Sequence, residues 1–163
     1  MRLGYRTAIL FSGLLWLGIG ILLLTKGINY LVLAGNAHLS GGISGFSLLK
    51  CIDLFAKSPE QSTTILVCVA LVLGFFKGRV MMKKAVIRVV RRIRSLPTPI
   101  PLTALYSKGY LFLIGGMAFL GVSFKYLPLP VDIKGFVDFA VGVALINGAM
   151  LYIRAIYDKE LCS

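Results

Sequence analysis

Four stretches of the chain stay apolar over a membrane-relevant length: Thr7 to Leu24, Ser62 to Met82, Tyr110 to Leu127 and Gly135 to Ile153. A helix needs about 20 mostly apolar residues to cross a hydrocarbon core about 30 Å thick, so each stretch predicts a transmembrane helix. The second reaches that length only by running through Lys77 and Arg79, whose charged ends can snorkel to the headgroups. All six prolines fall outside the four stretches. The pattern predicts an all-α membrane bundle forming a single domain over residues 1–163.

Two shorter segments are periodic rather than uniformly apolar. From Phe46 to Lys57, Phe46, Leu49, Ile52 and Ala56 fall at helical spacing, with Ser47, Lys50, Asp53 and Lys57 opposite. This predicts a short amphipathic helix, capped by Ser44 or Ser47 and ended before Pro59. Over 82–96, Lys83, Lys84, Arg88, Arg91, Arg92 and Arg94 fill one half of a helical wheel. Met82, Ala85, Val86, Val89, Val90, Ile93 and Leu96 fill the other, and only Ile87 breaks the division. A basic face against a continuous apolar face marks either a helix lying among lipid headgroups or one packed under its own bundle. The run "PTPIP" then breaks the helix, because prolines deny amide donors and fix an extended path.

The first loop, Thr25 to Gln61, is too apolar for a plain linker. Its "HLSGGISGFS" segment supplies Gly41, Gly42 and Gly45, which allow a sharp turn with open backbone amides. Two apolar arms joined by such a turn form either a re-entrant loop lining a pathway or an external turn packed over the bundle.

Composition supports the membrane reading. Of 163 residues 58% are hydrophobic and 15% charged, with a mean hydropathy of +0.88, whereas soluble domains average about 25% charged residues. Charge then sets orientation. With four spans, one face carries the N-terminus, the middle loop and the C-terminus, and thirteen of the eighteen cations; the other face carries Lys26, Lys50, Lys57, Lys125 and Lys134. Cationic segments stay on the cytoplasmic side, so both termini are expected to face the cytoplasm. Alternatively the first span is a signal peptide with a cleavage site at "GNA", ending at Ala37. An echo between "GLLWLGIGILL" from Gly13 and "GMAFLGVSFKY" from Gly116 raises a duplicated hairpin, a device common in transporters.

Catalytic chemistry has little to draw on: one histidine, six acids and three cysteines without a CxxC spacing. No metal set, cofactor or enzyme activity is expected, and His38 in its loop is expected to be solvated. Within the spans, Asp138 and Lys125 are expected at similar depth, as an ion pair or gate, or else as a helix-terminus acid and a snorkelling lysine. Asn147 suits an interhelical hydrogen bond better than a ligand. Ala140, Ala144 and Gly148 recur every four residues, a seam that another helix can approach closely.

Two resemblances attach to these residues. The stretch "GINYLVLAGNAHLSGGISGFSLL", residues 27–49, resembles the first loop of the YitT family of bacterial membrane proteins, in which GG-x-S-G follows the first helix. "GFFKGR" through "SLPTPIPL" to "ALINGAMLYIR" resembles a small family of multipass bacterial membrane proteins. Both imply a bacterial membrane location, and neither implies an activity.

Two functional readings follow. One is transport of an ion or small solute, or assistance to a transport complex, with Gly41, Gly42, Gly45, Lys125, Asp138 and Asn147 as pathway positions. The other is a non-transporting scaffold that holds partner helices or a second copy through Ala140, Ala144 and Gly148, and anionic lipid headgroups through Lys83, Lys84, Arg88, Arg91, Arg92 and Arg94. A nucleic-acid partner is not expected, since no aromatic residue interrupts the basic run to stack a base.

Overall fold

The structure, a computed structural model, describes residues 2–42, 46–95, 100–101, 116 and 126–157. Apart from Gly116, Tyr126 and Leu127, the third expected span lies outside the described residues, as do Lys125 and Gly45. The described elements are α1 (Tyr5–Leu39), α2 (Leu48–Asp53), α3 (Pro59–Ser95) and α4 (Val131–Tyr157), with a two-residue antiparallel pairing of β1 (Arg2–Leu3) and β2 (Ile100–Pro101). The described chain is thus all-α save for that pairing. The helices α1, α3 and α4 are each long and apolar enough to cross a membrane.

Each helix overruns its expected span. The first was expected over 7–24, yet α1 runs through Lys26 to Leu39, where a loop was expected. The charge of Lys26 is met within the bundle by Asp138, so it need not end the helix. Gly41 ends α1 in the left-handed region at φ 69°; its N–H bonds to His38 O, and the Gly42 N–H to Ala37 O. This pair of bonds is a Schellman turn, for which glycine is the favoured residue. At the start of α3, Pro59 takes the first helical position, Ser58 Oγ accepts from the Gln61 N–H, and Gln61 Oε1 reaches back to the Lys57 N–H. That is a capping-box arrangement with proline where its missing donor costs nothing.

The separate basic helix expected over 82–96 is a correction. The second span and the basic segment form one 37-residue helix, about 55 Å long at 1.5 Å per residue. No breaker stands near Met82, and the apolar face of the segment has a place to go. Met82, Val86, Val90 and Ile93 are buried with Ala8, Ile9 and Trp16 of α1 and Leu145, Ala149 and Tyr152 of α4. The segment packs alongside its own bundle. A second cluster at the opposite end joins Leu31, Ala34, Leu49, Leu66, Ala70 and Phe139.

Two seams of small residues hold the bundle. Gly13, Gly20 and Gly27 recur every seven residues on α1 and meet α4. A Cβ built on Gly20 would lie 3.0 Å from Ile146 Cγ1, and one on Gly13 2.9 Å from Tyr152 Cβ, while Gly27 abuts the Phe139 backbone. Gly135 and Gly142 of α4 answer against Leu31 and Leu24. On α3, Gly74 and Gly78 meet Ala140 and Ala144, each at 2.5 Å from a built Cβ, and Gly148 meets Met82. Without a hydrophobic drive inside lipid, such close backbone approach supplies the dispersion contacts that hold helices together. The Ala140, Ala144, Gly148 seam is therefore occupied by α3 of the same chain, and does not offer a free groove to a second copy.

These contacts fix direction. Residue numbers fall on α1 as they rise on α4, so the two are antiparallel; on α3 and α4 they rise together, so these two are parallel. Arg2–Leu3, the end of α3 and the end of α4 consequently share one end of the bundle, where Arg94 Nη2 donates to Ala155 O at 3.0 Å. The other end gathers the end of α1, α2, and the starts of α3 and α4.

Candidate functional site

At the α2 end, short segments are tied together by two carboxylates. Asp132 in the first turn of α4 is 2% exposed. Its Oδ2 accepts from Ser47 Oγ at 2.8 Å, from the Leu48 N–H, and from the Leu49 N–H at 3.3 Å; its Oδ1 accepts from the Ile133 N–H at 2.9 Å. The first amides of a helix have no partner within it, and a carboxylate there also meets the positive end of the helix dipole. Of the two caps expected for α2, Ser44 lies outside the described residues, and Ser47 stands at the N-cap but makes no side-chain cap bond. A carboxylate 84 residues away in sequence takes that role, and Ser47 becomes one of its donors.

Asp53, at the last turn of α2, performs the second tie. Its Oδ1 accepts from Ser62 Oγ of α3 and lies 3.0 Å from His38 Nε2 of α1. The Ser62 hydrogen bond holds the Asp53 carboxyl below its ordinary value of 3.8; desolvation opposes this, and the hydrogen bond and charge of His38 reinforce it. His38 is thus neither in a loop nor solvated as expected: it sits in the last turn of α1 with its side chain 10% exposed. Serine, carboxylate and imidazole do meet here, but the Ser62 hydroxyl is given to Asp53 rather than to the imidazole. The cluster ties three helix ends. Among the described residues no group of three or more His, Cys, Asp or Glu could hold a metal ion.

Beside Asp132 opens a cleft of about 750 Å³, lined by Leu33, Ala34, Ala37, Gly42, Phe46 and the turn Pro128 to Ile133. Gly42, a pathway candidate, lies on its wall; Gly41 is spent on ending α1. Deeper in the bundle, Lys26 Nζ stands 3.5 Å from Asp138 Oδ2 and 5.7 Å from the centre of the Tyr30 ring. Asp138 lies seven residues beyond the start of α4 and is bound to α1, while Lys125, the partner expected for it, lies outside the described residues. An unpaired carboxylate at that depth would be costly, and its partner comes from the helix that the glycine seam brings against it. Asn147 donates to Val143 O of its own helix at 3.2 Å, and among the described residues it makes no interhelical bond.

The basic positions Lys83, Lys84, Arg88, Arg91 and Arg92 are exposed along α3, and Arg94 turns inward to Ala155. Lys84, Ile87, Arg88, Arg91, Arg92 and Ser95 line an open cleft of about 680 Å³. The parallel register sets Gly78 beside Ala144 and Met82 beside Gly148. At these levels α1 and α4 expose Leu10, Phe11, Leu14, Ile21, Met150 and Ile153. One flank of the bundle is apolar where another is cationic.

Asp132, Lys26 and Asp53 carried no site signal in the sequence. Each is an isolated charge in an apolar or loop context, and the partners of Asp132 and Lys26 are far away in number. Comparison with known proteins adds nothing to this picture, since no family model, curated protein or solved structure matches the chain.

Proposed function

We propose that the chain is a four-span protein of a bacterial inner membrane, with both termini in the cytoplasm, that acts by binding rather than by catalysis or conduction. It serves as a membrane-embedded assembly element, an accessory to a transport or envelope complex, with partners drawn from the bilayer and from other membrane proteins. The observation that carries this reading is the pair of seams. From Gly13 to Leu31 on α1 and from Gly74 to Met82 on α3, the helices approach to backbone contact with α4, and the charged pair between them is neutralised in place.

The parallel course of α3 and α4 supports the fourth span. The chain leaves α3 at one end of the bundle and enters α4 at the other. The apolar stretch Tyr110 to Leu127 has the length to make that return. The eight cations between Lys77 and Arg94 lie at the end where α3 finishes, which supports a cytoplasmic setting for that end and for both termini.

A second reading, transport of an ion or small solute, is favoured by the cleft beside Asp132 and Gly42. The two readings separate in liposomes. Purified protein is expected to leave potassium, proton and small-solute permeability at the level of empty vesicles. Flux that falls on Asp138→Asn or Gly42→Leu would establish the transport reading instead.

A further inference from the structure

One face of α3 changes character along its length. Val69, Leu73, Phe76, Val80, Lys84, Ile87 and Arg91 follow one another at spacings of three and four, so they form a single stripe on the helix. Val69, Leu73, Phe76 and Val80 are 43%, 47%, 67% and 64% exposed. Immediately beyond them the stripe enters the cationic cleft of Lys84, Arg88, Arg91 and Arg92. From Val69 to Val80 the helix rises about 16 Å, close to the roughly 15 Å of one leaflet of hydrocarbon.

Among the described residues the cations of this cleft have no acid partner. All four described acids, Asp53, Glu60, Asp132 and Asp138, belong to the other end or to the Lys26 pair, and the sequence holds only two more, Asp158 and Glu160, against eight cations from Lys77 to Arg94. Lys84, Arg88 and Arg92 stand four residues apart, a spacing at which like charges repel along a helix. Two acids cannot balance eight cations, so most of this charge calls for an anion from outside the chain.

We propose that this face of α3 is a binding site for an anionic phospholipid of the cytoplasmic leaflet. Its acyl chains lie along Val69, Leu73, Phe76 and Val80, and its phosphate is held by Lys84, Arg88, Arg91 and Arg92. Guanidinium groups suit a phosphate because their paired donors match two of its oxygens. An acidic peptide or a nucleic acid would satisfy the cations but would leave the contiguous apolar stripe unmatched; a phospholipid carries both chemistries in the order and at the distance that α3 presents them. The site rests on the membrane placement proposed above.

The full-length protein in nanodiscs of phosphatidylcholine, with or without one third phosphatidylglycerol, provides the test. Phosphatidylglycerol is expected to raise the thermal midpoint and to remain bound through gentle detergent release for native mass spectrometry. Arg88→Gln with Arg91→Gln is expected to cut retained phosphatidylglycerol at least tenfold, whereas the charge-matched Arg6→Gln with Arg154→Gln, at the same end of the bundle, retains it. Val80→Gln is expected to weaken retention without altering any response to inorganic phosphate. Equal losses in the two double variants would mean a diffuse field and overturn the site. An equal stabilisation by inorganic phosphate in pure phosphatidylcholine would assign the cleft to a free anion and overturn the lipid. A protein that inserts in both nanodiscs but shows no preference would end this proposal while leaving the membrane placement intact.

Discussion

Replacing Asp132 by alanine removes the carboxylate that joins α4 to α2. Three donors, Ser47 Oγ and the Leu48 and Leu49 amides, lose their shared acceptor, and so does the Ile133 amide. A helix cap is worth about 0.5–2 kcal/mol, and a buried donor left without a partner costs about 1–3 kcal/mol. The hydroxyl of Ser47 can turn to another acceptor, and the helix ends can partly relax. A net loss of about 2–3 kcal/mol in the local closing of α2 is the reasonable sum. Since 1.4 kcal/mol is a factor of ten, amide exchange of Leu48 to Asp53 should accelerate by about 30- to 140-fold. Asp132→Asn should fall between alanine and wild type, because its single oxygen can serve the α2 amides while its NH₂ group faces a donor. Hydrogen exchange followed by mass spectrometry in detergent or nanodiscs measures this directly. Unchanged exchange across α2 in Asp132→Ala would refute the latch. Acceleration spread evenly over α1, α3 and α4 would place the carboxylate in global stability rather than at this junction.

Other expectations follow from the same contacts. Gly78→Val puts a branched side chain where a Cβ alone would stand 2.5 Å from Ala144 Cα; overpacking of this kind costs about 1–3 kcal/mol, seen as a lower thermal midpoint, while Gly18→Val, where a Cβ meets nothing within 4 Å, should leave the midpoint unchanged. Lys26→Met strands Asp138 and should destabilise by about 1–3 kcal/mol; adding Asp138→Asn should restore most of the loss, and a double variant no better than the single would show that the pair is not coupled. The Asp53 tie responds to acid. Because its carboxyl is held below 3.8 in the folded protein, its stabilisation is present above that value and is lost as pH falls through the folded one. Exchange of the α2–α3 junction should therefore quicken below about pH 4, and the acid effect should shrink in Ser62→Ala.

The parts legible in the sequence were those set by local pattern. Uniform apolarity located three of the described helices, and the i, i+3, i+4 spacing located α2 within 46–57. Where the helices end was not legible, because the decisive interactions are between segments distant in number. Lys26 looks like the end of a span until Asp138 is placed beside it. The apolar half of 82–96 suits lipid or the chain's own bundle alike until Trp16 and Tyr152 are seen to cover it. The four-residue recurrence of Ala140, Ala144 and Gly148 announced close packing, but only the three-dimensional register identifies α3 as the helix that fills it. Asp132 is the clearest case: nothing about a lone aspartate after "PLPV" points to a helix 84 residues earlier.

Labelling of single cysteines with a membrane-impermeant thiol reagent tests the arrangement most directly. Cys51 in α2 is exposed, and Ser95 ends α3 at the opposite end of the bundle. In a background with Cys68 and Cys162 replaced by serine, Cys51 should react from the periplasmic side of intact spheroplasts. With Cys51 also replaced, Ser95→Cys should react only once the membrane is opened. Labelling of both positions from the same face would contradict the course of α3 across a bilayer, and with it the four-span protein that needs that crossing.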